Sequence, residues 1–104
     1  MAAAGGAALV RVCRVTNTVR ALEQLKRAGL WSVALMPRDG TDLYRLDPPE
    51  RLALVVGGEG GMRPLVARHC DLAVSIRMWG AVESLNVSVA AAVALYEVRR
   101  RWEA

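Results

Sequence analysis

Three places in the chain carry residue types that could do chemistry. Four of the five residues from Gly57 to Gly61 are glycine, and the fifth is Glu59. Backbone without side chains can approach a ligand closely and leaves the glutamate unshielded. A dinucleotide fingerprint does not fit, because Gly58 and Gly60 are followed by Arg63 where a third glycine belongs, and the Gly-Lys-Ser/Thr of a P-loop is absent. Two readings remain open, a ligand-approaching loop and a flexible turn with a solvated glutamate. The second place is Ser84-Leu85-Asn86, which sets a hydroxyl and an amide at the junction of a loop and an apolar helix. Such groups either cap orphan N–H groups or bind a ligand. The third is His69-Cys70. With only Cys13 besides, no Cys-x-x-Cys spacing and one histidine in the chain, neither a zinc site, a disulfide framework nor a nucleophilic dyad is expected.

The elements that must position these groups follow from periodicity and punctuation. A short strand or its approach is suggested over 9–15. Asn17 then caps a helix in which Val19, Leu22, Leu25 and Ala28 fall at helical spacing, ended by Gly29. Leu30 to Met36 reads as a buried strand with Trp31 in the core, turned by Pro37, Asp39 and Gly40. A polar surface connection, with a brief turn at Leu43, Tyr44 and Leu46, leads to Leu52–Val56. That uninterrupted apolar run predicts a central parallel strand covered on both faces. A short helix over 63–70 with Leu65 and Val66 inward, a strand over 72–76, a loop over 77–84 and a largely apolar helix from Val87 onwards complete the chain. The alternation implies an α/β fold, a mostly parallel sheet with flanking helices. In such sheets ligands sit at the carboxyl ends of strands, here the Gly57 loop and the loop after Ile76.

Composition bounds the rest. The 104 residues suit one domain, 54% hydrophobic and 23% charged, with no apolar run long enough to span a bilayer. The expected compartment is cytoplasmic, with no membrane partner and no metal. Thirteen of the fourteen basic residues are arginine and the net charge is +4. This suits a polyanionic partner, although GC-rich codon usage produces the same bias.

The quoted motifs also carry a resemblance. Arg14-Val15-Thr16-Asn17, Val56-Gly57-Gly58-Glu59-Gly60, Asp71, Ile76 with Met78, and Glu83 to Ala90 running on to Leu95-Tyr96-Glu97 resemble the SpoU/TrmH-type RNA ribose 2'-O-methyltransferases of the SPOUT class. The resemblance implies a C-terminal trefoil knot and a homodimer. It implies S-adenosylmethionine as cofactor, contacted by the backbone of Gly57, Ile76 and Leu85, and an active site containing Glu59, Ser84 and Asn86. RNA is the implied substrate, ribosomal or transfer RNA, with ribosomal RNA favoured.

Three departures from the family pattern stand out. Relatives begin with a further strand and helix bearing an Asn-x-Gly-x-x-x-Arg motif that nothing here matches, so residues 1–104 are expected to form a single, N-terminally incomplete methyltransferase domain. The glycine loop is one residue short. Arg77 occupies a position that is usually proline, and losing that proline is expected to free the cofactor loop. An active methyltransferase is the reading adopted, with slow or no transfer by this polypeptide alone. The alternative is a catalytically impaired module of the same family that binds cofactor or RNA, or dimerises.

Overall fold

Asn17 starts the first helix as its type suggests, its side-chain oxygen accepting the Arg20 N–H at 3.1 Å. The computed structural model describes residues 12, 14–58, 61–78 and 86–103. Helix α1 (Thr18–Arg27) ends at Gly29, whose φ of +83° is the left-handed conformation glycine adopts without strain. Strand β1 (Trp31–Met36) follows, then β2 (Thr41–Asp42) and a single 3-10 turn (Leu43–Arg45). Strand β3 (Leu52–Val55), α2 (Pro64–His69), β4 (Leu72–Ser75) and the long α3 (Val87–Glu103) complete the described elements.

The four strands form one sheet in the order β2-β4-β1-β3, and every pairing is parallel. Register explains the packing. Val33 aligns with Leu54 and Leu72, and Leu35 with Val74, so one face carries large apolar side chains. On that face α3 packs Ala94, with Ala90 and Val93 beside it, against Val33, Leu35, Leu43, Val74 and Ile76. The alternate residues Ser32, Ala34, Ala53 and Ala73 are small. Leu22 of α1 and Val66 of α2 are buried outside the α3 cluster, which places these two helices, in contact with each other, on the small-residue face.

Ser32 joins the two central strands. Its N–H and hydroxyl donate to Asp71 Oδ2 at 2.9 and 3.2 Å, and the Asp71 N–H donates back to its hydroxyl at 3.0 Å. At the far end of the chain the Trp102 indole N–H donates to the Pro49 carbonyl at 3.0 Å, holding α3 against the segment after the 3-10 turn.

Several sequence expectations need correction. Leu52–Val56 is expected as a central strand; among the described residues β3 pairs on one side only and lies at the edge of the sheet, half-buried, while β4 and β1 take the middle. An apolar run reports that both faces are covered, not that both edges are paired. Trp31 is half-exposed rather than core, because it precedes the covered part of β1. Leu65 is also exposed; a helix of six residues has one narrow inward face, and Val66 takes it. Leu43, expected on a surface connection, is 2% exposed, since the 3-10 turn folds it under α3. The suggested strand over 9–15 falls mostly outside the described residues, and Val12, Arg14 and Val15 are exposed and not in a strand.

Candidate functional site

The parallel sheet brings the carboxyl ends of β4, β1 and β3 side by side, where chain after each strand must turn away. At the ends of β1 and β4 lies a cleft of about 500 Å³, lined among the described residues by Pro37, Arg38, Ser75, Ile76 and Met78. Its wall is apolar at Pro37, Ile76 and Met78 and carries one charge, the exposed Arg38. A volume of this size lies within the range of small-molecule and cofactor sites.

Two glycines set the shape of this end of the sheet. After Pro37 and Arg38 the chain passes through Asp39, a non-glycine residue at φ +66°, and reaches Gly40. A Cβ on Gly40 would stand 2.6 Å from the Val74 carbonyl carbon and 2.9 Å from the Ser75 nitrogen. Only glycine lets the β1–β2 turn lie this close to β4, and the Gly40 N–H donates to Ser75 Oγ at 2.9 Å. Gly57, one strand further along, follows the same logic. A Cβ there would meet the backbone of Gly61 and Met62 at 2.4 to 2.6 Å. Gly58 and Gly61 are joined by a bridge, the Gly61 N–H donating to the Gly58 carbonyl at 2.9 Å, with Gly61 at φ +85°. In this structure the missing side chain of Gly57 serves the closing of its own loop.

Of the residues singled out from sequence, Ile76 lines the cleft, Gly57 stands at the end of β3, and Asn86 sits at the start of α3. Asn86 accepts the Ser88 N–H on Oδ1 at 2.8 Å, and its carbonyl accepts the Ala90 N–H at 2.8 Å, so it caps the helix. Ala90, one turn later, packs on the cluster that contains Ile76, which ties the start of α3 to the cleft wall. Glu59, Ser84 and Leu85 lie outside the described residues. His69 and Cys70 keep structural roles. The His69 Nδ1 is 2.8 Å from the Leu65 carbonyl, and burial pushes the Cys70 thiol up.

Arg77 is anchored rather than freed. Its Nε donates to Asp42 Oδ2 at 3.2 Å and its Nη2 meets the same oxygen, while the Tyr44 N–H donates to Asp42 Oδ1 at 3.0 Å. The Arg77 guanidinium, followed by the Tyr44 amide, holds the Asp42 carboxyl below the ordinary aspartate range. Sequence reasoning missed Asp42, and it missed Pro37, Arg38 and Ser75 as cleft residues. The strand-end rule that located the other loops would have found the 37–40 turn had it been applied to β1 as well.

The SpoU rRNA Methylase family model matches residues 1–96. The 23S rRNA (guanosine-2'-O-)-methyltransferase RlmB of Neisseria meningitidis serogroup B is 46% identical over 100 residues, covering 95% of this chain and 40% of that protein. The RlmB of Ralstonia nicotianae is 47% identical with the same coverage. Among solved structures, the A. aeolicus TrmH/SpoU tRNA modifying enzyme matches with a TM-score of 0.76 and 35% identity, covering 86% of this chain and 46% of its own. The SpoU methyltransferase AviRb from Streptomyces viridochromogenes, solved in complex with the cofactor AdoMet, gives 0.69 and 29%, covering 86% and 38%. The chain spans about two fifths of the length of the curated relatives it matches. With a match over nearly all of its residues and a parallel sheet of the same architecture, the chain belongs to the SpoU rRNA methylase family.

Proposed function

We propose that residues 1–104 form one S-adenosylmethionine-binding domain that serves ribose 2'-O-methylation of RNA, with ribosomal RNA as substrate and the cytoplasm as compartment. The observation that carries this reading is the cleft at the ends of β1 and β4, with Ile76 in its wall and the glycine loop at the end of the neighbouring strand β3. The size of the cleft fits this cofactor, with Pro37, Ile76 and Met78 offering apolar surface to a flat base and the polar remainder of the wall facing a charged amino-acid arm. The RlmB relatives, named as 23S rRNA guanosine methyltransferases, favour ribosomal over transfer RNA. In line with the family resemblance, we place the backbone of Gly57, Ile76 and Leu85 against the cofactor, and the end of the chain in a trefoil knot.

When bound, S-adenosylmethionine supplies a methyl group already activated on a sulfonium. The protein's share is to hold the ribose 2'-hydroxyl in line with that methyl, to help its proton leave and to keep water out. Asn86 spends Oδ1 on the cap of α3, so its Nδ2 is the atom left to donate to a substrate oxygen. Ser84, two residues earlier, orients the same ribose. Glu59 positions a neighbouring basic group rather than taking the proton itself, a carboxylate being a far weaker base than an alkoxide.

The partner completing the site is a second copy of the chain. One side of α3 is left uncovered by the described residues: the exposed Val89 and Tyr96, with the edge of the half-buried Val93, line an apolar groove with Tyr44, and Tyr96 is 73% exposed. Glu97 and Arg100 at the groove pair at 2.8 Å, which satisfies the buried carboxylate. Among the described residues no helix is long and apolar enough to cross a membrane.

Titration calorimetry with S-adenosylmethionine, followed by transfer of labelled methyl to 23S rRNA, tests the reading. Binding with alkali-resistant 2'-O-methylated product is expected from a chain carrying the whole family domain, and slow transfer from these 104 residues alone. Binding without any transfer in either case leaves a cofactor-binding module. Absence of binding overturns the proposal.

A further inference from the structure

Ile76 and Met78 both line the cleft, and the residue between them is tied to a different strand. Strand β4 pairs with β2 through Val74 and Ser75, opposite Thr41 and Asp42, and the ladder stops there. Beyond Ser75 the ladder shows no further strand partner among the described residues, and side chains contribute to holding residues 76–78 at the cleft wall. On one side the Ile76 side chain is buried in the core, 8% exposed. On the other, Arg77 reaches back to the last paired residue of β2, giving two nitrogens to one carboxylate oxygen of Asp42. Asp42 is itself fixed by the sheet register and by the Tyr44 N–H on its second oxygen, so the guanidinium is held by an anchor that is already in place.

We propose that Asp42, acting through Arg77, is a positioning residue for the cofactor: the pair clamps the backbone of residues 76–78 in the position that walls the cleft. This inference rests on the cofactor reading of the cleft. A proline at 77 would restrict the same backbone by fixing φ near −65° and by holding the preceding residue extended. The ion pair reaches a similar end with a tertiary contact in place of a ring. Arg77 is 45% exposed and Asp42 21%, so the clamp is screened in part by solvent and its effect is modest.

The test is calorimetry with S-adenosylmethionine on the full chain and on D42N, R77M, D42N/R77M and D42N/R77P, with melting temperature and amide hydrogen exchange at residues 76–78 measured alongside. Each single change is expected to weaken binding by about threefold to tenfold, the scale of one charge-assisted pair, and to speed exchange at 76–78. The double change D42N/R77M should cost less than the sum of the two single losses, since both remove the shared Asp42–Arg77 pair. D42N/R77P should recover most of the lost affinity, an outcome that a general loss of stability would not produce. Should a variant melt below the assay temperature, exchange at 76–78 in the remaining variants decides. Unchanged affinity and exchange in D42N and R77M, or strictly additive losses, overturns the clamp while leaving the cleft as the cofactor site. Failure of the unaltered chain to bind overturns both.

Discussion

The Asp42 carboxylate and the Arg77 guanidinium bridge the end of β2 to the first residues after β4, 35 positions apart in sequence. Because the pair forms only when the two strands lie side by side in register, it reports the folded state and titrates with it. Asp42 has a lowered pKa in the fold, so its contribution is full above the unfolded aspartate value near 4 and is lost as pH falls through the lower folded value. Urea midpoints of the native chain and D42N should therefore differ at pH 7 and converge as the pH drops below about 4. A difference that grows on acidification would reverse the sign and contradict the bridge.

Gly57 and Gly58 are neighbours with opposite expectations. An alanine at 57 would push Cβ into the backbone of Gly61 and Met62, which cannot swing aside, whereas a Cβ at 58 meets nothing within 4 Å among the described residues. Gly57→Ala should destabilise by about 1–3 kcal/mol, as overpacking does, and lower cofactor affinity at least tenfold. Gly58→Ala should stay within about 0.5 kcal/mol of the parent. Denaturation curves paired with calorimetry check both.

Gly40 and Ser75 make a second close approach, at the cleft itself. Ser75→Ala removes the acceptor for the Gly40 N–H and should cost about 1 kcal/mol in chemical denaturation. Gly40→Ala should cost more, since its Cβ would press on the main chain of Val74 and Ser75.

Tyr96 is far more exposed in one chain than a residue of its size and character gains from being. If the side of α3 left uncovered by the described residues meets a second copy, Tyr96→Asp should shift the chain from dimer to monomer in light scattering, by at least tenfold in dissociation constant, with little change in helical content. A variant that stays dimeric places the interface elsewhere.

Local signals settled much of this protein. Asn17 and Gly29 delimit α1 because capping and left-handed backbone are chemistry of a few adjacent atoms. The apolar runs of β1, β3 and β4, each followed by turn residues, read as parallel strands for the same reason, and the glycine loop and the Ser84–Asn86 segment mark the family without reference to space. What the sequence could not rank was position within the sheet. A run such as Leu52–Val56 looks alike whether its edges are paired or open, since hydrophobicity records covered faces and is blind to hydrogen-bonded edges. The two-residue strand Thr41–Asp42 exists only because Val74 and Ser75 offer it a ladder. The burial of Leu43, the inward turn of the 37–40 segment and the meeting of Asp42 with Arg77 were likewise decided by tertiary structure, because each depends on residues more than thirty positions away.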